Sequence, residues 1–307
     1  MCTSIAMQNG DFYFGRNLDL HQGFSECVVI TPRNYPFLFR KAQPLNGHFS
    51  IIGMATIKDG YPLYAEAANE KGLCIAGLNF PKNAYYPSEE RENKLQLSPF
   101  ELIPFLLGTC NNLQAARSAL KNLRFLNLPF NEQTPLPPLH WHIADKSGSI
   151  VLESTKEGLH LYDNPFGVLT NNPPFPFQTD YASMYAHMSN RFTPRENAFS
   201  LGLDGVGLPG DYSSPARFVK SAWLLKNTPD LSSEEERVSH FFHLLSAVAP
   251  IKGSVYTPNS EPHYTLYTSC INASRGVYYY RRYADFTIRS VALSNYDING
   301  QTLILPV

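Results

Sequence analysis

Charge is scarce in this chain. Only 17% of its 307 residues are Asp, Glu, Lys or Arg, against about 25% in an average soluble domain. The 25 basic and 26 acidic residues nearly cancel, and no long basic run stands out. That leaves nothing to draw the protein to nucleic acid or to an anionic membrane surface. Long apolar runs are missing as well. None approaches the roughly 18 residues of a spanning helix. No charged segment followed by an apolar run opens the chain, so neither a signal peptide nor a membrane anchor is expected. Cysteine is sparse: Cys2, Cys27, Cys74, Cys110 and Cys270 are odd in number, scattered and never in CxxC spacing. This argues against a disulfide framework and a structural zinc site, and a reducing cytoplasm is the expected location. Repeats, low-complexity tracts and linker-like stretches are lacking too, so one domain over residues 1–307 is expected.

What is there begins at the second residue of "MCTSIAMQNGDFYFGRNLD". Loss of Met1 gives Cys2 both a thiol and a free α-amino group. A free Cys has a pKa of about 8.5 and a chain α-amine about 7.7–8.0, close to where a general base works best. An N-terminal Cys therefore carries its own base, as N-terminal Thr nucleophiles do. Arg16 beside the sulfur favours thiolate and Asp19 beside the amine favours ammonium. The thiolate attacks a carbonyl and the ammonium protonates the departing amine, which is the proton inventory of amide hydrolysis. The plain alternative is a small apolar residue in a first strand. A spacing of three puts Arg16 and Asp19 on opposite faces of an ideal strand, so a bend is needed to aim both at Cys2.

Asn79 in "AGLNF" and Asn171 in "GVLTNN" follow strand-like runs. Their amides suit an oxyanion, and equally a turn. Arg217 lies among apolar neighbours in "SSPARFVKSAW" and by itself reads as a surface arginine with a buried stem. Other candidates are weaker. His140 and His142 share a strand face but lack a third ligand nearby. Cys270 lacks a protease signature around it, and "GLDGVGLPGD" lacks the strand–turn–helix setting of a nucleotide loop.

The first half reads as strands, among them "TSIAM", "FYFGR", "ECVVITP", "FSIIGMAT" and "LCIAGLNF". Helices enter at "SPFELIPFLLG", with Ser98 as cap, Pro99 at the first position and Gly108 closing it. "NNLQAARSALKNL", "SSPARFVKSAWLLKN" and "SSEEERVSHFFHLLSAVA" are further helices. "LHWHIAD" and "SIVLEST" form a hairpin. "YTLYTSCINA", "GVYYYRRY" and "FTIRSVAL" are closing strands, while "NEQTPLPPL" and residues 190–212 read as loops. With no strict βαβ alternation, antiparallel sheets covered by helices are favoured.

The stretches "MCTSIA", "FGRNLDL", "ITPRNYPF", "NEKGLCIAGLNF", "PLHWHIADKSGSIVLESTKEGL", "GVLTNNPPF", "GLPGDYSSPARFVK" and "GVYYYRRY" together resemble the choloylglycine hydrolases, the family of bile salt hydrolases and penicillin V acylases. The resemblance implies an α+β fold, the four-layer αββα sandwich of two antiparallel sheets between helix layers seen in N-terminal nucleophile hydrolases. It implies loss of Met1, with Cys2 as nucleophile and base, Arg16 and Arg217 framing the thiol, Asp19 holding the amine, and Asn171 and Asn79 supporting the oxyanion. It implies no cofactor and no metal. Asn79 stands where the penicillin V acylase branch typically carries Tyr, so conjugated bile acids of the glycocholate or taurocholate type are the expected substrates. A penicillin V acylase, or another N-acyl amide hydrolase, is the alternative. Leu18, Leu20, Phe24, Leu128 and Phe130 either line an apolar cleft for the substrate or serve packing. A homo-oligomer, tetramer or dimer, is implied by the family alone. His21, the stretch "RFTPRENAFSLGLDG" and the short C-terminal tail depart from the family pattern.

Overall fold

The computed structural model describes residues 1–186, 188 and 205–306. Most of the 190–212 loop reading lies outside the described residues. β1 (Cys2–Asn9) and β2 (Asp11–Leu20) form a hairpin. Gly10 takes the left-handed φ of 65° between them, a conformation glycine adopts without steric cost. β3 (Cys27–Thr31), β4 (Ile51–Lys58), β5 (Tyr61–Asn69), β6 (Cys74–Asn79) and β7 (Leu95–Leu97) follow.

Next come α1 (Leu102–Thr109) and α2 (Leu113–Leu120). The Ser98 N–H donates to Glu101 Oε2 at 2.7 Å, and the chain enters α1 through a 3-10 turn at Pro99–Glu101. Gly108 does not close this helix, which runs through it to Thr109. A Cβ at Gly108 would come within 3.2–3.3 Å of the Leu45 and His48 side chains, so the glycine sits at a close approach inside the helix. β8 (Leu123–Phe125), β9 (Leu139–Asp145), β10 (Gly148–Thr155), β11 (Gly158–Asp163) and β12 (Val168–Leu169) precede α3 (Phe175–Ser183). α4 (Ser214–Lys226) and α5 (Glu234–Ser246) begin at Ser213 and Ser233, whose side chains accept from the N–H groups of Ala216 and Glu236. β13 (Tyr264–Asn272), β14 (Val277–Arg282) and β15 (Asp285–Ala292) close the chain.

Two antiparallel sheets result, of six strands in the order β12-β1-β2-β13-β14-β15 and of seven in the order β11-β10-β9-β6-β5-β4-β3. The short β7 and β8 pair in parallel apart from both. Apolar residues along the strands sort by parity. Ile52, Met54, Cys74, Ala76 and Val151 pack toward Cys2 and Phe14 of the other sheet, whereas Ile51, Ala55, Ile75, Trp141 and Ile150 pack under Leu102, Leu106 and Leu113. Phe218, Phe241 and Leu245 cover the six-stranded sheet. The layering is α4/α5, sheet, sheet, α1/α2, as in the αββα sandwich the resemblance implies.

β2 and β13 approach closely at Gly15, where a Cβ would lie 2.0 Å from the Ser269 carbonyl oxygen. Gly15→Ala must part the strands that carry the site. Overpacking of this kind costs about 1–3 kcal/mol or more, so a melting scan should show a drop of about 2–5 °C or more for a chain of this length. An unchanged melting point would contradict the close approach.

Candidate active site

Register places the first residues of the site. Cys2 pairs with Leu18 and Ser4 with Arg16, so these four side chains share the face toward the seven-stranded sheet. The Arg16 guanidinium crosses that interface. Nη1 donates to the carbonyls of Gly77 at 2.6 Å and Ala65 at 3.3 Å, and Nη2 donates to Cys2 Sγ at 2.6 Å. Thr3, Asn17 and Asp19 alternate onto the helix face. There Asn17 Nδ2 donates to the Leu245 carbonyl of α5 at 2.8 Å.

Arg16 and Asp19 thus lie on opposite faces, as their spacing requires. The expected bend between them in β2 is not found: β2 keeps its register with β1, and the irregularity lies on the partner strand β13, between Thr265, opposite Asp19, and Tyr267, opposite Leu18. Both residues nevertheless reach the chain start, because a cysteine at position 2 presents two ends. Arg16 meets the sulfur. Asp19 meets the terminus, with its N–H donating to Met1 O at 3.0 Å and its carbonyl accepting from the Met1 amine at 2.8 Å. Asp19 Oδ1 accepts from Thr265 Oγ1 at 2.7 Å, while Oδ2 is buried with no partner among the described residues. The Met1 amine also lies 2.6 Å from His263 Nε2. Burial lowers the pKa of that amine, against the pull of Cys2 and Asp19.

Arg217 is not a surface arginine: it is 1% exposed. From α4 its Nη1 donates to Cys2 O at 2.5 Å and Thr3 Oγ1 at 2.6 Å, and its Nη2 donates to Asn171 Oδ1 at 2.8 Å. Burial pulls its pKa down. Burial opposes the Arg16 charge too, but Cys2, Tyr267, Glu66 and Asp19 outweigh it and push that pKa up.

Asn171 is held on every polar atom but one N–H. Its backbone N–H donates to Ser214 Oγ at 2.8 Å and its carbonyl accepts from Gln178 Nε2 at 2.9 Å. Oδ1 accepts from Cys2 N at 2.7 Å as well as from Arg217, and Nδ2 donates to Asn79 O at 2.7 Å. Those partners fix the amide orientation and leave the second Nδ2 proton free. The half-buried Asn79 side chain has no hydrogen bond among the described residues. Cys2, Arg16, Asp19, Asn79, Asn171 and Arg217 are therefore brought together. Ser214 and Gln178, which hold Asn171, and Thr265, which holds Asp19, carry no local signal in the sequence.

The expected lining residues divide. Leu18, Leu20 and Phe24 pack on the core that contains Cys2. Phe130 packs instead in the outer core, its ring 5.7 Å from Tyr61 and 5.4 Å from Phe100. Leu128 is half-buried, with its carbonyl accepting from Ser98 Oγ at 2.5 Å.

His140 and His142 serve separate partners. His140 lies 3.0 Å from both Glu153 Oε1 and Thr170 O, next to Asn171. His142 Nδ1 lies 2.7 Å from Ser4 Oγ, and burial, with His140 adding, pushes its pKa down to about 3. The buried Cys270 thiol has its pKa pushed well up by desolvation, which keeps it an inert thiol.

A family model described as linear amide C–N hydrolases, choloylglycine hydrolase family, matches residues 2–305. A bile salt hydrolase/transferase of Lactiplantibacillus plantarum is 45% identical over 99% of this chain and 96% of its own length. The crystal structure of a cysteine-to-alanine variant of the conjugated bile acid hydrolase from Clostridium perfringens superposes with a TM-score of 0.92. It is 33% identical and the match covers 100% of this chain and 97% of that one. A penicillin V acylase from Agrobacterium tumefaciens shares the fold, with a TM-score of 0.80 at 16% identity over 98% of this chain and 90% of its own.

Proposed function

This chain belongs to the choloylglycine hydrolase family of linear amide C–N hydrolases, and we propose that it cleaves the amide bond of glycine- or taurine-conjugated bile acids through a Cys2 thioester. The observation that carries the mechanism is the 2.6 Å contact of Arg16 Nη2 with Cys2 Sγ. A guanidinium there favours the thiolate. Loss of Met1 turns Cys2 N into an ammonium, and the unpartnered Asp19 Oδ2 supports Asp19 as the group that holds it.

The thiolate attacks the amide carbonyl. The free Asn171 proton and the Asn79 amide stabilise the oxyanion. The Cys2 ammonium passes its proton to the departing amine, leaving a thioester and a neutral amine. That amine takes a proton from water as the hydroxide equivalent attacks the thioester, which releases the bile acid and restores thiolate and ammonium. Every proton-transfer group belongs to the chain, so the reading needs no cofactor. Arg217 fixes Cys2 and Asn171 relative to one another through Cys2 O and Asn171 Oδ1. Leu18, Leu20 and Phe24 line the apolar side of the cleft; Leu128 and Phe130 would border it only from the outer layer.

The bile acid reading draws on relatives of that name at 45% and 35% identity and on Asn79. No helix among the described residues is long and apolar enough to cross a membrane, and we read the protein as cytoplasmic. The exposed Phe286 and Ile288 on edge strand β15 support a homo-oligomer, a tetramer or dimer. Side-by-side hydrolysis of glycocholate, taurocholate and penicillin V, with intact mass recorded during turnover, tests the reading. Cleavage of the bile conjugates with loss of Met1 and acylation of Cys2 is expected. Turnover of penicillin V alone would move the protein to the acylase branch.

A further inference from the structure

Behind Arg16 lies a carboxylate that the mechanism above does not use. Glu66, in the middle of β5, is fully buried. Its Oε2 lies 3.8 Å from Arg16 Nε and accepts from Tyr267 OH at 2.7 Å, while Oε1 accepts from Tyr278 OH at 2.5 Å. The remaining neighbours are accounted for. Ser269 of β13 adds a hydroxyl, and the flanking register partners Met54 and Ala76 carry no charge. Around the thiol stand Arg16 and Asp19 from β2, Arg217 from α4, Tyr267 from β13 and the chain-terminal amine.

A buried carboxylate is expensive unless paired and hydrogen-bonded, and this one has a guanidinium and two phenol donors. The charge count gives it a purpose. Arg16 and Arg217 bring two positive charges to the site, Asp19 one negative, and Cys2 none in net terms as thiolate–ammonium. Ionised Glu66 brings the total to zero. It stays at zero in the thioester state, where both the sulfur and the amine are neutral.

Building on the reading of Cys2 as nucleophile, we propose that Glu66, held by Tyr267 and Tyr278, is a positioning residue that acts through Arg16 as its buried counter-charge and so sets the protonation of the Cys2 thiol. Desolvation raises the Glu66 pKa, and Arg16 with the two hydroxyls works against that rise. The sign of the effect follows from Coulomb's law. Glu66→Gln leaves the Arg16 field on the sulfur uncompensated, so thiolate forms at lower pH. A thiolate formed more easily is also a weaker nucleophile.

The test is the pH profile of Cys2 alkylation by iodoacetamide on the mature protein, read by peptide mass so that the other cysteines do not interfere. Glu66→Gln should move the midpoint down by about one pH unit and lower the plateau rate about threefold. Glu66→Asp keeps the charge and should keep the wild-type midpoint, whatever it does to stability. Tyr278→Phe removes one donor and should give a smaller shift in the same direction, which covers the case in which Glu66→Gln fails to fold. An unmoved midpoint, an upward shift, or equal shifts in the Gln and Asp variants would overturn the proposal. Hydrolysis of glycocholate by the wild-type protein is measured alongside. If it is absent, the substrate reading fails while the alkylation profile still decides the role of Glu66.

Discussion

Cys2→Ala will hydrolyse conjugated bile salts at least about 10⁴-fold more slowly than the wild-type chain, because groups that act as one unit are lost together when the nucleophile goes. Cys2 is the only sulfur in contact with Arg16 among the described residues, and Arg16, Arg217 and Asn171 converge on that one residue. The Asn79 and Asn171 amides remain in the variant but have no tetrahedral adduct to stabilise. The fold itself should tolerate the change. Cys2 sits at a strand end, its backbone bonds to Asn171 and Arg217 do not involve the sulfur, and the loss is a single atom. The melting temperature should therefore stay within a few degrees. The measurement is release of glycine from glycocholate, with the melt as control. Activity within tenfold of wild type, in a folded variant, would remove Cys2 from the chemistry.

The parts of this site that the sequence shows and the parts it hides differ in kind. Local chemistry was legible: Ser98, Ser213 and Ser233 start helices because a side chain or a local N–H closes the first turn. The Cys2 argument needed only a residue number and two pKa values. Tertiary partners were not legible. Arg217 meets Thr3 from 214 positions away, and in its own helix it looks like an ordinary surface arginine. Asn171 looks like a turn residue until Ser214 and Gln178 are seen to hold it. β5 is hard to see in the sequence because Pro62 and alanines around a glutamate oppose a strand reading. Burial between two sheets overrides that preference, and it is also what makes Glu66 informative. Gly108 reads as a helix stop in the sequence, because local signals cannot report the close approach of Leu45 and His48 to it. Of the two roles the sequence leaves open for Phe130, cleft or packing, its loop supplies the packing, onto Tyr61 and Phe100.

A chain that keeps a residue ahead of Cys2 will be inactive, and trimming to Cys2 will restore it. With Met1 in place, Cys2 N is a peptide nitrogen that donates its one proton to Asn171 Oδ1. Such a nitrogen has no available lone pair, so it neither accepts a proton from water nor delivers one to a leaving amine. The Met1 amine does not substitute for it: that nitrogen is tied to the Asp19 carbonyl and to His263 Nε2, and it makes no hydrogen bond to Sγ among the described residues. Arg16 still contacts Sγ in this form, so the thiol should remain alkylatable while hydrolysis is lost. General acid–base catalysis contributes about 10²–10⁴-fold, and steric closure by Met1 adds to that, so a deficit of about 10³-fold or more is expected. The experiment uses a chain with a protease-removable N-terminal extension ending immediately before Cys2. Glycocholate hydrolysis, iodoacetamide labelling of Cys2 and intact mass are followed before and after cleavage. Full activity in the uncleaved chain would show that the α-amine takes no part, and the proton route through Cys2 would then have to be abandoned in favour of another base such as His263.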